Sequence, residues 1–225
     1  MCWPLTQVLR DAICDGERTL DRDGEDLISF TCSSVKWTSL PTIKKMLLAY
    51  KDCIEKYGSL YQINKAIRDG RLHRIEPRVY SDTGEENELE IVQWKHPNAV
   101  MTLDSAYFYY GLTDVIPTEY HMATAFRARR IDDPIVRQYY MPDGTFSIGK
   151  TSLQYCGDCV RIYDLERLLI ETARMKSKLP YDLYKEVVSS FRNRIGEILP
   201  AKIQLYLRSF PKRETIENII GEEVF

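Results

Sequence analysis

Residues 47–80 read LLAYKDCIEKYGSLYQINKAIRDGRLHRIEPRVY, and this stretch decides the fold of the N-terminal part of the chain. Apolar residues recur at helical spacing from Leu47 to Tyr57, and Gly58 follows as a stop signal, which predicts a first helix. Ser59 belongs to a residue type that is preferred at the N-cap of helices, and it begins a second predicted helix over 59–69. The apolar face of this second helix consists of Leu60, Ile63, Ala66 and Ile67.

The other face of the second helix is polar and basic. A step of 100° per residue places on it Tyr61, Gln62, Lys65 and Arg68, with Asn64 at the border. Residues 72–80 then alternate apolar and basic side chains around Pro77, which predicts a short β-ribbon. Helix, turn, helix and basic ribbon follow in the order of a winged-helix module, which is predicted over residues 46–82, although this stretch provides two helices rather than three.

Charge is unevenly distributed along the chain, whose formal net charge is only −2. Residues 1–41 carry four basic and seven acidic groups, residues 42–80 nine and four, and residues 81–225 eighteen and twenty-two. The basic groups that follow the second helix are Arg71, His73, Arg74 and Arg78. Lysine and arginine neutralise phosphates, and glutamine and asparagine read base edges, so this segment is a candidate DNA-binding surface. The alternative is an ordinary solvated amphipathic helix.

The rest of the chain is predicted to be a mixed α+β domain over residues 91–225, after a charged linker at 83–90. Its first segment resembles a strand and a turn, followed by a short helix that Asp104 or Ser105 caps. Further strands are expected up to residue 163, and a helical tail begins at Asp164.

One predicted strand, MATAFRARRI over 122–131, is rich in arginine. Strand alternation would send Arg127 and Arg129 to the same face, where, with Arg130, they would extend the basic surface. The alternative is a sheet edge that is protected by charge.

Several classes of protein are disfavoured by composition. Residues 1–45 show no sustained period and predict a poorly ordered extension, or a start codon placed upstream of Met46.

The acids of residues 1–45 differ from the basic start of a signal peptide, and no apolar run approaches the roughly 20 residues of a membrane span, so a cytoplasmic protein is expected. The six cysteines are scattered and are expected to be reduced.

The sequence shows no arrangement typical of an enzyme, a metal site or a cofactor site. The three histidines are far apart, and no Gly-rich phosphate loop occurs. The pair Cys156 and Cys159 lacks further ligands, and a hairpin with Gly157 and Asp158 as its two-residue loop explains it better than zinc. The acids and arginine of YDLERLL, residues 163–169, are interpreted as a helix start, with Asp164 as cap, Glu166 at the dipole and Arg167 paired at the core edge.

The chain resembles the AbiEi family of AbiE-type antitoxins in five segments that follow one another in order from about residue 46 to residue 225. These segments are YKDCIEKYGSLYQINKAIRDGRLHRIEPRVYSD, NAVMTLDSAYFYYGLTDVIP, MATAFRARR, IYDLERLLIE and FPKRETIENIIGEEVF. One position departs from the family, which commonly has glycine before the Val/Ile-Tyr of the wing, whereas this chain has Arg78 after Pro77. This departure puts the geometry of the wing in question.

The resemblance implies an antitoxin of a type IV toxin–antitoxin system, an abortive-infection operon for phage defence. Its partners would be the operator DNA of its own promoter and a cognate nucleotidyltransferase-like toxin, without any cofactor. The chain does not resemble the toxin itself, because Gly58-Ser59 is not followed by paired aspartates. The alternative is an interaction protein with a degenerate winged helix that restrains the toxin without binding DNA. An enzyme is the third alternative.

Overall fold

The computed structural model describes residues 47–225, which form a mixed α+β protein. The chain divides into two compact units, Met1–Gly84 and Glu85–Phe225, and the first is described from Leu47 onward. The described part contains eight α-helices and two sheets. The extension expected at residues 1–45 lies outside the described residues.

The first unit contains a helix pair and a three-stranded antiparallel sheet in the order β1-β3-β2. Its elements are β1 (Leu47–Ala49), α1 (Tyr50–Tyr57), α2 (Leu60–Arg68), β2 (His73–Glu76) and β3 (Val79–Ser81). The sheet and the two helices enclose a small core of Leu48, Cys53, Ile63, Ala66, Leu72 and Tyr80.

The turn between α1 and α2 is short and follows from its sequence. Gly58 has a φ of +81°, a conformation that glycine adopts without strain, and it ends α1. The Ser59 hydroxyl accepts a hydrogen bond from the backbone N–H of Gln62 at 3.3 Å and so caps α2. The predicted second helix and its cap are confirmed.

Two expectations for this unit are wrong. Leu47 does not start the first helix but lies in β1, because Leu47–Ala49 pair with Val79–Ser81 of the remote strand β3. Leu60 does not share the buried face of α2, since it is 53% exposed as the first residue of the helix, whereas Ile63 and Ala66 are fully buried. The apolar face therefore begins one turn later than predicted.

The second unit is built on a five-stranded sheet in the order β6-β5-β4-β8-β7. The strands are β4 (Val100–Met101), β5 (Tyr120–Ala125), β6 (Val136–Met141), β7 (Lys150–Tyr155) and β8 (Asp158–Tyr163). The pairs β5–β6 and β4–β8 are parallel, and the pairs β4–β5 and β7–β8 are antiparallel. The edge strands are β6 and β7.

Six helices complete the second unit. They are α3 (Glu88–Lys95), α4 (Leu103–Tyr109), α5 (Leu165–Met175), α6 (Tyr181–Asn193), α7 (Pro200–Leu207) and α8 (Arg213–Glu223). The main core lies between the sheet and these helices and includes Met101, Tyr107, Ile162, Leu168 and Phe191, all fully buried. No helix within residues 47–225 has the length and apolar character that crossing a membrane requires.

The helical tail is confirmed, including two of its boundaries. Asp164 caps α5 by accepting the Arg167 backbone N–H at 2.8 Å, and Pro180 directly precedes α6. The cap predicted for α4 is wrong, because Thr102 is its N-cap residue and Asp104 lies in its first turn.

The strand expected from residue 91 is also wrong, because residues 91–95 belong to α3. Asn87 and Glu90 form a capping box, in which the Asn87 side chain accepts the Glu90 N–H at 2.8 Å and the Glu90 carboxylate accepts the Asn87 N–H at 3.2 Å. The end of the predicted linker, residues 88–90, is therefore the first turn of a helix.

The hairpin between β7 and β8 is confirmed, but its loop is one residue earlier than predicted. Tyr155 pairs with Asp158, so Cys156 and Gly157 are the two loop residues. Their φ values of +49° and +91° match a turn in which both central residues are left-handed. Asp158 is thus the first residue of β8 rather than part of the loop.

Candidate nucleic-acid interface

The exposed face of α2 carries the side chains that the sequence predicts for DNA contact. Tyr61, Gln62, Asn64, Lys65 and Arg68 are all exposed, on the side of the helix opposite Ile63 and Ala66. The Tyr61 side chain is an exposed aromatic ring, with 66% of the residue's surface accessible. The buried face and the cap at Ser59 fix the helix on its sheet, so the polar face is presented by a rigid element.

The cations of this face are available to a ligand. Lys65 and Arg68 lie three residues apart and therefore on neighbouring turns of α2. Neither forms an ion pair with another residue of the part that the structure describes. An unpaired exposed cation can neutralise a phosphate without first breaking a contact in the protein.

The cations that follow α2 differ in their surroundings. Arg71 is exposed but already bound to Asp69, with 2.8 Å between Nη2 and the carboxylate oxygen. The exposed His73 packs beside Gly84, where an added Cβ would lie 2.8 Å from the ring Cγ. Arg74 is exposed on β2 and forms no ion pair with another described residue. The structure therefore leaves Arg74 freer than Arg71 to contact a polyanion.

Arg78 lies at the tip of the hairpin between β2 and β3 and has a φ of +71°. Only glycine adopts this left-handed conformation without steric cost, so the backbone at this hairpin tip has the geometry that a glycine would adopt there. The hairpin therefore keeps its turn with an arginine at this position, and Val79 pairs with Glu76.

Replacement of Arg78 by glycine is expected to raise the free energy of unfolding of the first unit by about 0.5–1 kcal/mol. Relief of a left-handed arginine is worth about 1–2 kcal/mol, and the greater freedom of glycine in the unfolded chain offsets part of it. Denaturant unfolding of wild type and Arg78→Gly measures the difference. Arg74→Gly, within β2, is the control and should destabilise the protein; a loss of stability in both variants would contradict the prediction.

Arg127, Arg129 and Arg130 belong to the second unit and are exposed. The prediction that Arg127 and Arg129 share one face of a strand is wrong, because β5 ends at Ala125. The chain turns there, with the Ala128 N–H donating to the Ala125 carbonyl at 2.9 Å. The three arginines therefore project from a loop.

The charged residues at the start of α5 form a cluster that is buried more deeply than the sequence predicts. Arg167 is fully buried, not at the edge of the core, and its Nη2 lies 2.6 Å from the Glu171 carboxylate. Its guanidinium also stacks on the rings of Tyr163 and Phe210, at 4.8 Å and 4.3 Å from their centroids. Burial lowers the pKa of Arg167, and the Glu171 carboxylate opposes that shift.

Lys202 of α7 extends this charged cluster. Its ammonium contacts Glu166 at 2.9 Å and Asp164 at 3.2 Å. Burial lowers the pKa of Lys202, but the hydrogen bonds to the two carboxylates outweigh burial and raise it above the usual value. Glu166 thus binds a lysine and the Leu199 N–H, at 3.2 Å, instead of only facing the helix dipole. The cluster ties the beginning of α5 to α7.

His121 lies in a buried cluster of polar side chains that are far apart in the sequence. Its Nδ1 is 3.5 Å from an Asp104 carboxylate oxygen and 3.3 Å from the Tyr139 hydroxyl. Burial lowers the pKa of His121, and Asp104 opposes that shift. The nearby Ser105 hydroxyl accepts the backbone N–H of His121 at 2.8 Å and donates to the Glu119 carbonyl at 3.4 Å. It is therefore bound to backbone groups rather than to the imidazole.

The cysteine pair is placed at a surface turn. Cys156 and Cys159 are both exposed, and Gly157 lies between them in the loop. Within residues 47–225 no group of three or more histidine, cysteine, aspartate or glutamate side chains is arranged to hold a metal ion.

Comparison with known proteins identifies a likeness in fold. No protein-family model matches the sequence. No curated protein matches it significantly. The crystal structure of the RV2827C protein from Mycobacterium tuberculosis is similar, with a TM-score of 0.55 over 79% of this chain and 72% of that chain. The two sequences are 13% identical, so this likeness concerns the fold alone.

Proposed function

We propose that this chain is an antitoxin of the AbiEi type, which represses its own operon by binding promoter DNA through the first unit and restrains a nucleotidyltransferase-like toxin. The observation that carries the DNA-binding part is the exposed polar and basic face of α2, held rigidly by a buried apolar face. Such an antitoxin needs no catalytic activity and acts in the cytoplasm, where its promoter lies.

The topology of the first unit supports a winged-helix module. From its first strand onward, such a module runs strand, helix, recognition helix and hairpin, with the first strand paired to the last. The described elements follow this order, and β1 pairs with β3. The additional helix of the complete module precedes the first strand, a position that falls before residue 47 and outside the described residues. On this proposal, α2 is the recognition helix and the β2–β3 hairpin is the wing.

The chemistry of α2 suits a major groove, which admits a helix and presents donors and acceptors on the base edges. Gln62 and Asn64 are the exposed amides that can pair with bases. Lys65, Arg68 and Arg74 are the exposed cations that can bind the phosphates on either side. We expect the amides to supply specificity and the cations to supply affinity.

A titration on promoter and scrambled duplexes at two salt concentrations tests this assignment. Lys65→Ala should weaken binding to both duplexes alike and lower the salt slope by about 0.9, because one phosphate contact is lost. Gln62→Ala should cost about 1–3 kcal/mol on the promoter and little on the scrambled duplex. Lys178→Ala and Gln154→Ala, exposed positions of the second unit, are the matched controls and should bind as wild type.

Wild-type protein that shows no preference for its own promoter at low salt would rule out repression. The second candidate would then stand, namely an interaction protein that only restrains the toxin. Two features of the first unit favour it: the Asp69 carboxylate already binds Arg71, and a strained Arg78 occupies the wing tip. Both candidates predict that co-expression with a cognate nucleotidyltransferase-like toxin restores growth. Only the first predicts promoter binding, so the promoter titration separates them.

A further inference from the structure

The second unit exposes a surface of aromatic and basic side chains beside its edge strand β6. We call it the β6 edge surface, and it consists of Phe126, Arg127, Arg129, Arg130 and Tyr140. Phe126 is 58% exposed and Tyr140 is 45% exposed, although large aromatic rings are usually covered by the protein.

The loop that carries this surface is held in place by Gln138. The amide nitrogen of Gln138 donates to the Thr124 hydroxyl at 2.8 Å and to the Arg129 carbonyl at 3.2 Å. Its amide oxygen accepts the Ile131 N–H at 2.8 Å. One side chain of β6 therefore binds both strand β5 and the loop that follows it. The arginines project from an ordered loop rather than from a free tail.

The same contacts place Tyr140 next to the loop. Gln138 and Tyr140 are two residues apart on β6 and point to the same side of the sheet. The Gln138 side chain reaches the Arg129 carbonyl on that side of the sheet. The loop and the Tyr140 ring therefore lie on the same side. Phe126 directly follows Ala125, which pairs with Met141, the residue after Tyr140, so the backbone brings the start of the loop to the end of β6.

The β6 edge surface carries three arginines, and the exposed carboxylate of Asp132 lies in the same loop. Arg127, Arg129 and Arg130 form no ion pair with any residue in 47–225. The nearby carboxylate of Asp133 is engaged by Lys95 at 2.5 Å, and that of Glu119 lies 4.0 Å from Arg137. Three free guanidinium groups beside two exposed rings thus match a ligand that combines phosphates with planar aromatic groups.

We infer that the β6 edge surface binds single-stranded nucleic acid. The arginines contact the backbone phosphates, and Phe126 and Tyr140 stack on bases. Stacking of this kind requires bases whose faces are free. A single-stranded nucleic acid has such bases, whereas a duplex does not. This site lies wholly in the second unit and does not depend on the promoter binding proposed for the first.

Fluorescence anisotropy of the full chain with a labelled oligothymidylate of about 12 nucleotides, and with an oligouridylate of the same length, tests the inference. The double variant Phe126→Ala/Tyr140→Ala should weaken binding roughly thirtyfold or more, because two stacking contacts are lost. Tyr140→Phe should bind as wild type, since phenylalanine also stacks. Removal of all three arginines should lower the slope of log K against log salt by about 2, at about 0.7 per phosphate on a single strand.

Tyr181→Ala and Arg208→Ala remove an exposed ring and an exposed cation elsewhere in the second unit, and they should leave oligothymidylate binding unchanged. Lys65→Ala separates the two sites, because it should weaken duplex binding but not oligothymidylate binding. The inference is overturned if wild type does not bind either oligonucleotide, or if the controls weaken binding as much as the aromatic double variant does.

Discussion

Replacement of Glu171 by glutamine is expected to lower the free energy of unfolding of the second unit by about 3–5 kcal/mol. Its carboxylate lies 2.6 Å from the Nη2 of Arg167 and 2.5 Å from the Nη1 of Arg174. Arg167 and Glu171 are both almost completely buried, and among the described residues the Nε and Nη1 atoms of Arg167 have no hydrogen-bond acceptor. Neutralising the carboxylate would leave a buried guanidinium without its counter-charge. Denaturant unfolding followed by far-UV circular dichroism measures the loss.

Glu197→Gln is the matched control, because Glu197 pairs with Arg194 at 2.6 Å but is 53% exposed. Exposed ion pairs contribute about 0–1 kcal/mol, so the same change should cost little there. Arg167→Met combined with Glu171→Gln should be less destabilising than the sum of the single changes, since no buried charge is then left unpaired. Equal losses for Glu171→Gln and Glu197→Gln would show that burial of the pair has no special energetic role.

The location of this ion pair explains why the segment IYDLERLLIE matters to the whole unit. Asp164 caps α5 and also accepts the Tyr206 hydroxyl of α7 at 2.8 Å. Arg167 contacts the ring of Phe210, which follows α7. The acids and the arginine of this segment therefore join the sheet to the C-terminal helices. A substitution at these charged residues is expected to destabilise the C-terminal helices. It would therefore weaken the binding of any partner that contacts those helices.

Elements with local signals could be predicted from the sequence. Helix α2 has a serine cap and an apolar period, and α5 has Asp164 at its start, so the sequence predicts the start of each helix to within a residue or two. The same reasoning could have found α3, because Asn87 and Glu90 are spaced as a capping box. The apolar run after Glu90 resembles a strand, and that resemblance concealed the helix.

Features that depend on remote partners could not be predicted. Strand β1 has the apolar spacing of a helix, and its pairing with β3, about 30 residues away, decides its conformation. The parallel pairing of β5 with β6 brings His121 close to Tyr139, which no local pattern indicates. For the candidate site, exposure of the α2 face followed from its period, whereas the loop position of the arginines after Ala125 depended on where β5 ends.

Replacement of Gly149 by alanine is expected to destabilise the second unit by about 2–5 kcal/mol, through two additive causes. Gly149 has a φ of +74°, where an alanine costs about 1–2 kcal/mol, and an added Cβ would lie 2.4 Å from the Cβ of Arg167, an overlap worth about 1–3 kcal/mol. Neither residue can easily retreat, because the Asp164 N–H donates to the Gly149 carbonyl at 2.8 Å and the Cβ of Arg167 is fixed to helix α5. Gly144→Ala separates the causes, since Gly144 has a φ of +76° but no atom within 4 Å of an added Cβ. Denaturant unfolding of the two variants should show the larger loss in free energy of unfolding for Gly149→Ala. Equal losses would mean that the start of α5 moves to accommodate the extra methyl group, so that both variants report backbone strain alone.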